Sequence, residues 1–78
     1  MKIHMVTVRS SQIHAIGHDA STGTMAVQFK GRGGSPGSIY HYDGVSPEQF
    51  AAFHKADSIG SHFGTHFKSN EAHPFKKV

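Results

Sequence analysis

Tyr40, His41 and Tyr42 are three ring-bearing side chains in a row, and the chain's basic residues include Lys30, Arg32, Lys55, Lys68, Lys76 and Lys77. Aromatic rings on a strand stack on unpaired bases while Lys and Arg follow phosphates, so this set points to recognition of RNA or another single strand. Alternation along an extended chain puts Tyr40 and Tyr42 on one face and Ile39 and His41 on the other. It does not say which face is wet. On an open face the tyrosines form a stacking platform. Beneath helices they become core, with their hydroxyls bonded at the rim, and His41 takes the outer face.

Other chemistries have weaker support. His62 and His66 would share one side of a helix, at the spacing helical metal sites use. Phe63 stands where H-E-x-x-H requires Glu, and no third ligand is specified. Surface histidines beside a Phe stripe are the favoured reading, and no metal or other cofactor is expected. The stretch Gly31 to Ser38 is glycine-rich but lacks the G-x-x-x-x-G-K-[ST] spacing and does not open a helix, which argues against a P-loop. No G-x-S-x-G elbow or paired-carboxylate pattern appears, and a chain of 78 residues has little interior from which to build a water-excluding pocket. The chain reads as non-catalytic.

The elements that must position these residues can be read from local signals. Ile13 to His18 reads as a strand, Asp19 to Gly23 as a turn, and Thr24 to Lys30 as a half-buried strand with Met25, Val27 and Phe29 on one face. Ile39 to Tyr42 is the third strand, and Met5 to Val8 is a candidate short edge strand. Asp43-Gly44 ends the tyrosine strand. Ser46 then offers an N-cap, Pro47 sits at the first helical position and Gln49 lies three after the cap, a capping box. Val45 and Phe50 are placed for a hydrophobic staple. This helix should end near Lys55-Ala56. Asp57 or Ser58 can cap a second helix whose Ile59, Phe63 and Phe67 recur every four residues, with Gly60 and Gly64 weakening it.

The chain is therefore expected to be one α+β domain spanning residues 1–78. A small antiparallel sheet of three strands, or four with the edge strand, is followed by two short helices packed on one face. Flexible segments are expected at about 1–5, at 31–38 and at about 69–78. The core bets are Ile13 or Ile16, with Val27, Phe29, Val45, Phe50, Phe53, Ile59, Phe63 and Phe67. Hydrophobic residues make up 36% of the chain, so that core should be thin and Phe-rich. Cys is absent, and there is no apolar run long enough for a signal peptide or a membrane span, which together read as a soluble, cytoplasmic protein. The net charge of +3 fits an anionic partner and is also ordinary solubility charge.

The ordered set Ser10-Ser11, Ile13, Ile16-Gly17, Asp19, Val27, Phe29, Tyr40-x-Tyr42, Val45, Pro47, Ala56-Asp57-Ser58, Gly60 and Phe63 resembles the KTSC domain. This family is found at the C-terminus of some lysyl-tRNA synthetases and as stand-alone small proteins. The chain departs from the pattern at His18, where an aromatic is expected after Gly17, in the long Gly31 to Ser38 loop, and at His73-Pro74-Phe75, which replaces a tyrosine-rich ending. The resemblance implies a small sheet followed by two short helices and a role in binding RNA. The leading expectation is thus a non-catalytic module for RNA or single strands that uses the residues named at the outset. The alternative is a small protein-binding adaptor or inhibitor of phage type that acts on a host enzyme or complex, since exposed aromatics and a mobile loop suit a protein surface equally well.

Overall fold

The computed structural model describes residues 3–68 and 70–78. Among these residues the chain forms a five-stranded antiparallel sheet in the order β1-β2-β3-β4-β5. The strands are β1 (Met5–Thr7), β2 (Ile13–Asp19), β3 (Thr24–Lys30), β4 (Pro36–Tyr42) and β5 (Phe75–Lys77), with helices α1 (Pro47–His54) and α2 (Ile59–His66) between the last two strands. The sheet is larger than the three or four strands expected. The added strand is β5, which lies in the tail read as flexible, and it pairs Phe75 with Tyr42 and Lys77 with Tyr40 along the free edge of β4. Its start is fixed by Asp43 N–H donating to the Pro74 carbonyl at 2.9 Å, and its end by Val78 N–H donating to the Ile39 carbonyl at 2.9 Å.

The 31–38 connection is also shorter than expected, because Pro36 already pairs with Lys30. A 3₁₀ turn at Arg32–Gly34 closes it, with Gly31 N–H donating to Ser35 O at 2.6 Å. Gly37 lets β4 pass close to β3 there, since a Cβ at this position would stand 2.8 Å from the Phe29 carbonyl oxygen. At the other end of the sheet Met5 already belongs to β1; Met1 and Lys2 lie outside the described residues, as does Ser69 in the tail.

The β2–β3 turn is held by Asp19, whose carboxylate accepts from Ser21 N–H at 3.0 Å and Ser21 hydroxyl at 2.7 Å, while Gly23 takes φ 71°. A bulge in β2 between Ile13 and Ala15 sets Ile13 and Ile16 on the same face, so both enter the core rather than one or the other. The capping box at α1 is formed: Gln49 N–H donates to Ser46 Oγ at 3.1 Å, and Ser46 N–H donates to Gln49 Oε1 at 2.8 Å. Ser58 caps α2 by accepting from Ser61 N–H at 3.3 Å.

Both helices lie on one face of the sheet. The core joins Ile13, Ile16, Met25, Val27 and Tyr42 of the sheet to Val45, Phe53, Ile59, Phe63 and Phe67. Phe29 and Phe50, expected inside, are half-buried against this cluster. Phe50 stacks on His18 with ring centroids 5.2 Å apart, and the His18 ring is 2.6 Å from the Val45 carbonyl through Nε2. His18 therefore does what an aromatic residue would do at this position and also bonds the chain where β4 turns into α1.

Candidate functional site

Register across the sheet sorts the aromatic and basic residues onto two faces. On the helix side one row runs His18, Met25, Tyr42, Phe75 and the next runs Val6, Ile16, Val27, Tyr40, Lys77. The row between them, Met5, Gly17, Ala26, His41, Lys76, points to the opposite face. Tyr40, His41 and Tyr42 are thus not a single platform. The two tyrosines face the helices, where Tyr42 is buried and Tyr40 half-buried, and His41 and Lys76 sit together on the outer face.

The helices do not cover the whole sheet. α1 packs against β2, α2 reaches Phe29 of β3 and Tyr42 of β4 through Phe63, and the strip from β3 to β5 beside α2 is left as an open groove. Its volume is about 790 Å³, within the size range of small-molecule sites. A concavity of this size was not expected from so short a chain. It exists because α2 presents Gly60 and Gly64 to it, without side chains to close the gap.

Its walls are aromatic. Phe29 meets Tyr40 edge-on at 5.5 Å and Phe63 at 5.3 Å, Tyr42 meets Phe63 edge-on at 5.4 Å, and Phe75 lies 5.8 Å from Tyr40 and 5.7 Å from Tyr42. Edge-to-face contacts of this kind hold rings in fixed orientations. Lys30 and Lys68 also line the groove, and none of its lining residues is acidic. Burial pushes the Tyr42 phenol above its ordinary pKa, and the neighbouring Tyr40 adds to the effect.

The fold accordingly brings Lys30, Tyr40, Tyr42 and Lys68 to one place. Lys77 stands opposite Tyr40 in register, and Arg32 belongs to the turn that follows the groove-lining Gly31. Lys55 is the C-cap of α1 and is not among the lining residues, and His41 and Lys76 are on the other face. Sequence reasoning missed Phe75 as part of the site. Its only local signal was an aromatic residue after Pro74, whereas its place beside Tyr42 is set by strand pairing.

A second, polar depression lies at the start of α2, between Arg9, Ser10, Ser11 and Gln12 on one side and Asp57, Ser58 and Ser61 on the other. Its serines have structural work. Ser10 Oγ accepts from the backbone N–H of Gln12 and of Ile13, both at 3.2 Å, and Ser58 Oγ caps the helix.

Comparison with known proteins agrees with this architecture. A crystal structure of a KTSC domain protein from Yersinia pestis superimposes with a TM-score of 0.84 over 99% of both chains at 27% identity. An uncharacterized protein of Stutzerimonas stutzeri (strain A1501) is 36% identical over 63 residues, 81% of this chain and 82% of that one. The sequence pattern of the KTSC domain matches residues 9–70, from just before the first paired serine to just past α2, and the chain belongs to the KTSC domain family.

Proposed function

We propose that this protein is a non-catalytic module that binds RNA or other single strands in the groove between α2 and strands β3 to β5. The observation that carries the reading is the composition of that groove: four aromatic walls and a fifth ring at Tyr42, two lysines and no acidic side chain. Bases stack on the rings exposed in the groove, Tyr40 and Phe75 foremost, while Lys30 and Lys68 meet phosphate and Lys77 and Arg32 extend the positive margin. The net charge of +3 favours encounter with a polyanion. His41, Lys55 and Lys76, placed elsewhere, have no part in this reading.

The test is fluorescence anisotropy of a labelled single-stranded RNA at two salt concentrations. Tyr40→Ala is the informative aromatic variant, because Tyr42 belongs to the core and its loss would compromise folding. Tyr40→Ala should weaken binding by about 1–3 kcal/mol. Lys30→Gln and Lys68→Gln should each reduce the steepness of log affinity against log salt by about 0.7. No binding at low salt would sink the proposal.

A protein-binding adaptor or inhibitor is the second reading. Phe75 is 62% exposed and Val78 59% exposed, both at the β5 edge, where an incoming strand or apolar side chain could dock. Binding that persists at high salt and is lost on Phe75→Ala, with RNA ineffective as competitor, would favour it.

A further inference from the structure

α2 is only eight residues long, yet two of its positions, Gly60 in the first turn and Gly64 further in, carry the poorest helix former after proline. Neither is among the glycines with positive φ, so backbone conformation does not require them. Packing does not require them either. A Cβ added at Gly64 would meet nothing within 4 Å, and one at Gly60 would make ordinary contact with the side-chain ends of Gln12 and Ser10 at 3.5 Å. Both glycines line the aromatic groove. What they preserve is empty space against bare helix backbone.

An independent observation concerns what opens into that space. Tyr42 is 5% exposed and lines the groove. Its hydroxyl takes no part in the hydrogen bonds of the described residues, and among those residues no side-chain polar atom is both sealed from solvent and unpartnered. The small exposed part of Tyr42 therefore includes its hydroxyl, which belongs to a groove-lining residue and has no hydrogen-bond partner among the described residues.

We propose that the face of α2 carrying Gly60 and Gly64 is one wall of a base pocket, in which a single unstacked nucleobase lies against the helix backbone with its hydrogen-bonding edge toward the Tyr42 hydroxyl. The inference rests on the nucleic-acid reading of the groove and deepens it, since it names the part of the ligand that enters and the wall it meets. An aliphatic or phenyl side chain from a peptide would fill the volume but leave the Tyr42 hydroxyl unpaired, which is unfavourable for a largely desolvated group. A base offers acceptors along its edge and a flat face for the rings of Tyr40, Phe63 and Phe75. It also carries a phosphate one sugar away, within the field of Lys30 and Lys68.

The decisive experiment separates stability from binding. Gly64→Leu, Gly60→Ala/Gly64→Ala and, as a control on an exposed helix position outside the groove, Thr65→Leu are each tested for thermal midpoint and for affinity to labelled single-stranded RNA. Adenosine 5′-monophosphate is titrated separately, with the Gly60 and Gly64 amides followed by NMR. We expect both glycine replacements to raise the melting temperature. Gly64→Leu should cut RNA affinity by at least tenfold and the double alanine variant by a smaller factor, while Thr65→Leu binds as wild type does. The mononucleotide should shift the two glycine amides. If the glycine variants fold and bind RNA like wild type, the pocket is overturned while the groove remains a nucleic-acid site. If RNA does not bind but the mononucleotide shifts both amides and Gly64→Leu abolishes the shift, the pocket stands and the single-strand reading falls. Failure of both ligands overturns both.

Discussion

His62 and His66, one helical turn apart, bring their rings to 4.2 Å between centroids, and His62 also stacks on Phe53 at 5.5 Å. A proton on His62 must therefore be carried in a partly desolvated place beside a second imidazole. Burial first, and His66 second, hold the His62 pKa below its ordinary 6.5. The sign of the linkage follows. The unfolded chain takes up this proton at higher pH than the folded one, so the stabilisation is present above about pH 6.5 and is lost as pH falls through the lower, folded value. Denaturation midpoints should fall on acidification from pH 7 to 5, and His62→Gln should lessen that fall, as paired urea titrations at the two pH values would show. A variant as acid-sensitive as wild type would exclude His62 as a source. The shared helix face of the two histidines was legible from their spacing. The stacking of His62 against Phe53 was not, because it depends on how α1 and α2 cross. Glu48 lines the same shallow cavity as the pair, yet among the described residues no group of three His, Cys, Asp or Glu is arranged to hold a metal ion.

At the scale of elements, the corner from β4 into α1 was readable because its parts lie within a few residues of each other. Ser46, Pro47 and Gln49 act on the backbone of the first helical turn, and the bonds they predict are those observed. Ser46→Ala should lower stability by about 1 kcal/mol, measurable as a reduced denaturant midpoint at unchanged slope; an unchanged midpoint would mean that the corner is held by tertiary contacts alone. Such contacts do exist, since Val45 N–H donates to the Gly23 carbonyl at 2.9 Å and the Val45 carbonyl lies against His18. β5 shows the opposite case. Phe75, Lys76 and Lys77 are all exposed and have too little alternation to announce a strand. Their conformation comes from the unpaired edge of β4 and from buried His73, whose Nδ1 is 3.1 Å from the Asp43 carbonyl and whose ring meets Phe67 edge-on at 5.2 Å.

At the scale of the whole molecule, a single thin core joins the two layers. Phe53 is fully buried and touches the aromatic rings of Phe63 and Phe67 at 6.4 and 5.2 Å between centroids. Phe53→Ala should cost about 3–5 kcal/mol, a large share of the roughly 5–15 kcal/mol that stabilises a typical domain. Chemical denaturation should show a far lower midpoint, and a loss below about 1 kcal/mol would mean that the core repacks around the gap. The core bets from sequence were mostly sound where periodicity repeats, as in Ile59, Phe63 and Phe67. Phe29 and Phe50 pack against that core as expected but are only partly buried.

The sequence by itself determined what depends on near neighbours: strands β2 and β3 and their turn, the capping box of α1, the Phe stripe of α2, and the fact that Tyr40 and Tyr42 share a face; it narrowed the cap of α2 to Asp57 or Ser58, of which the structure uses Ser58. Only the tertiary structure decided which face that is, because alternation has the same period whichever side of a sheet is covered. Tertiary structure also made the groove. Lys30, Tyr40, Phe63, Lys68 and Phe75 come from four elements and one helix-following turn, and they meet only once β5 has paired with β4 and α2 has settled on the sheet. Contacts between residues this far apart in the chain are set by global packing, which no local pattern encodes.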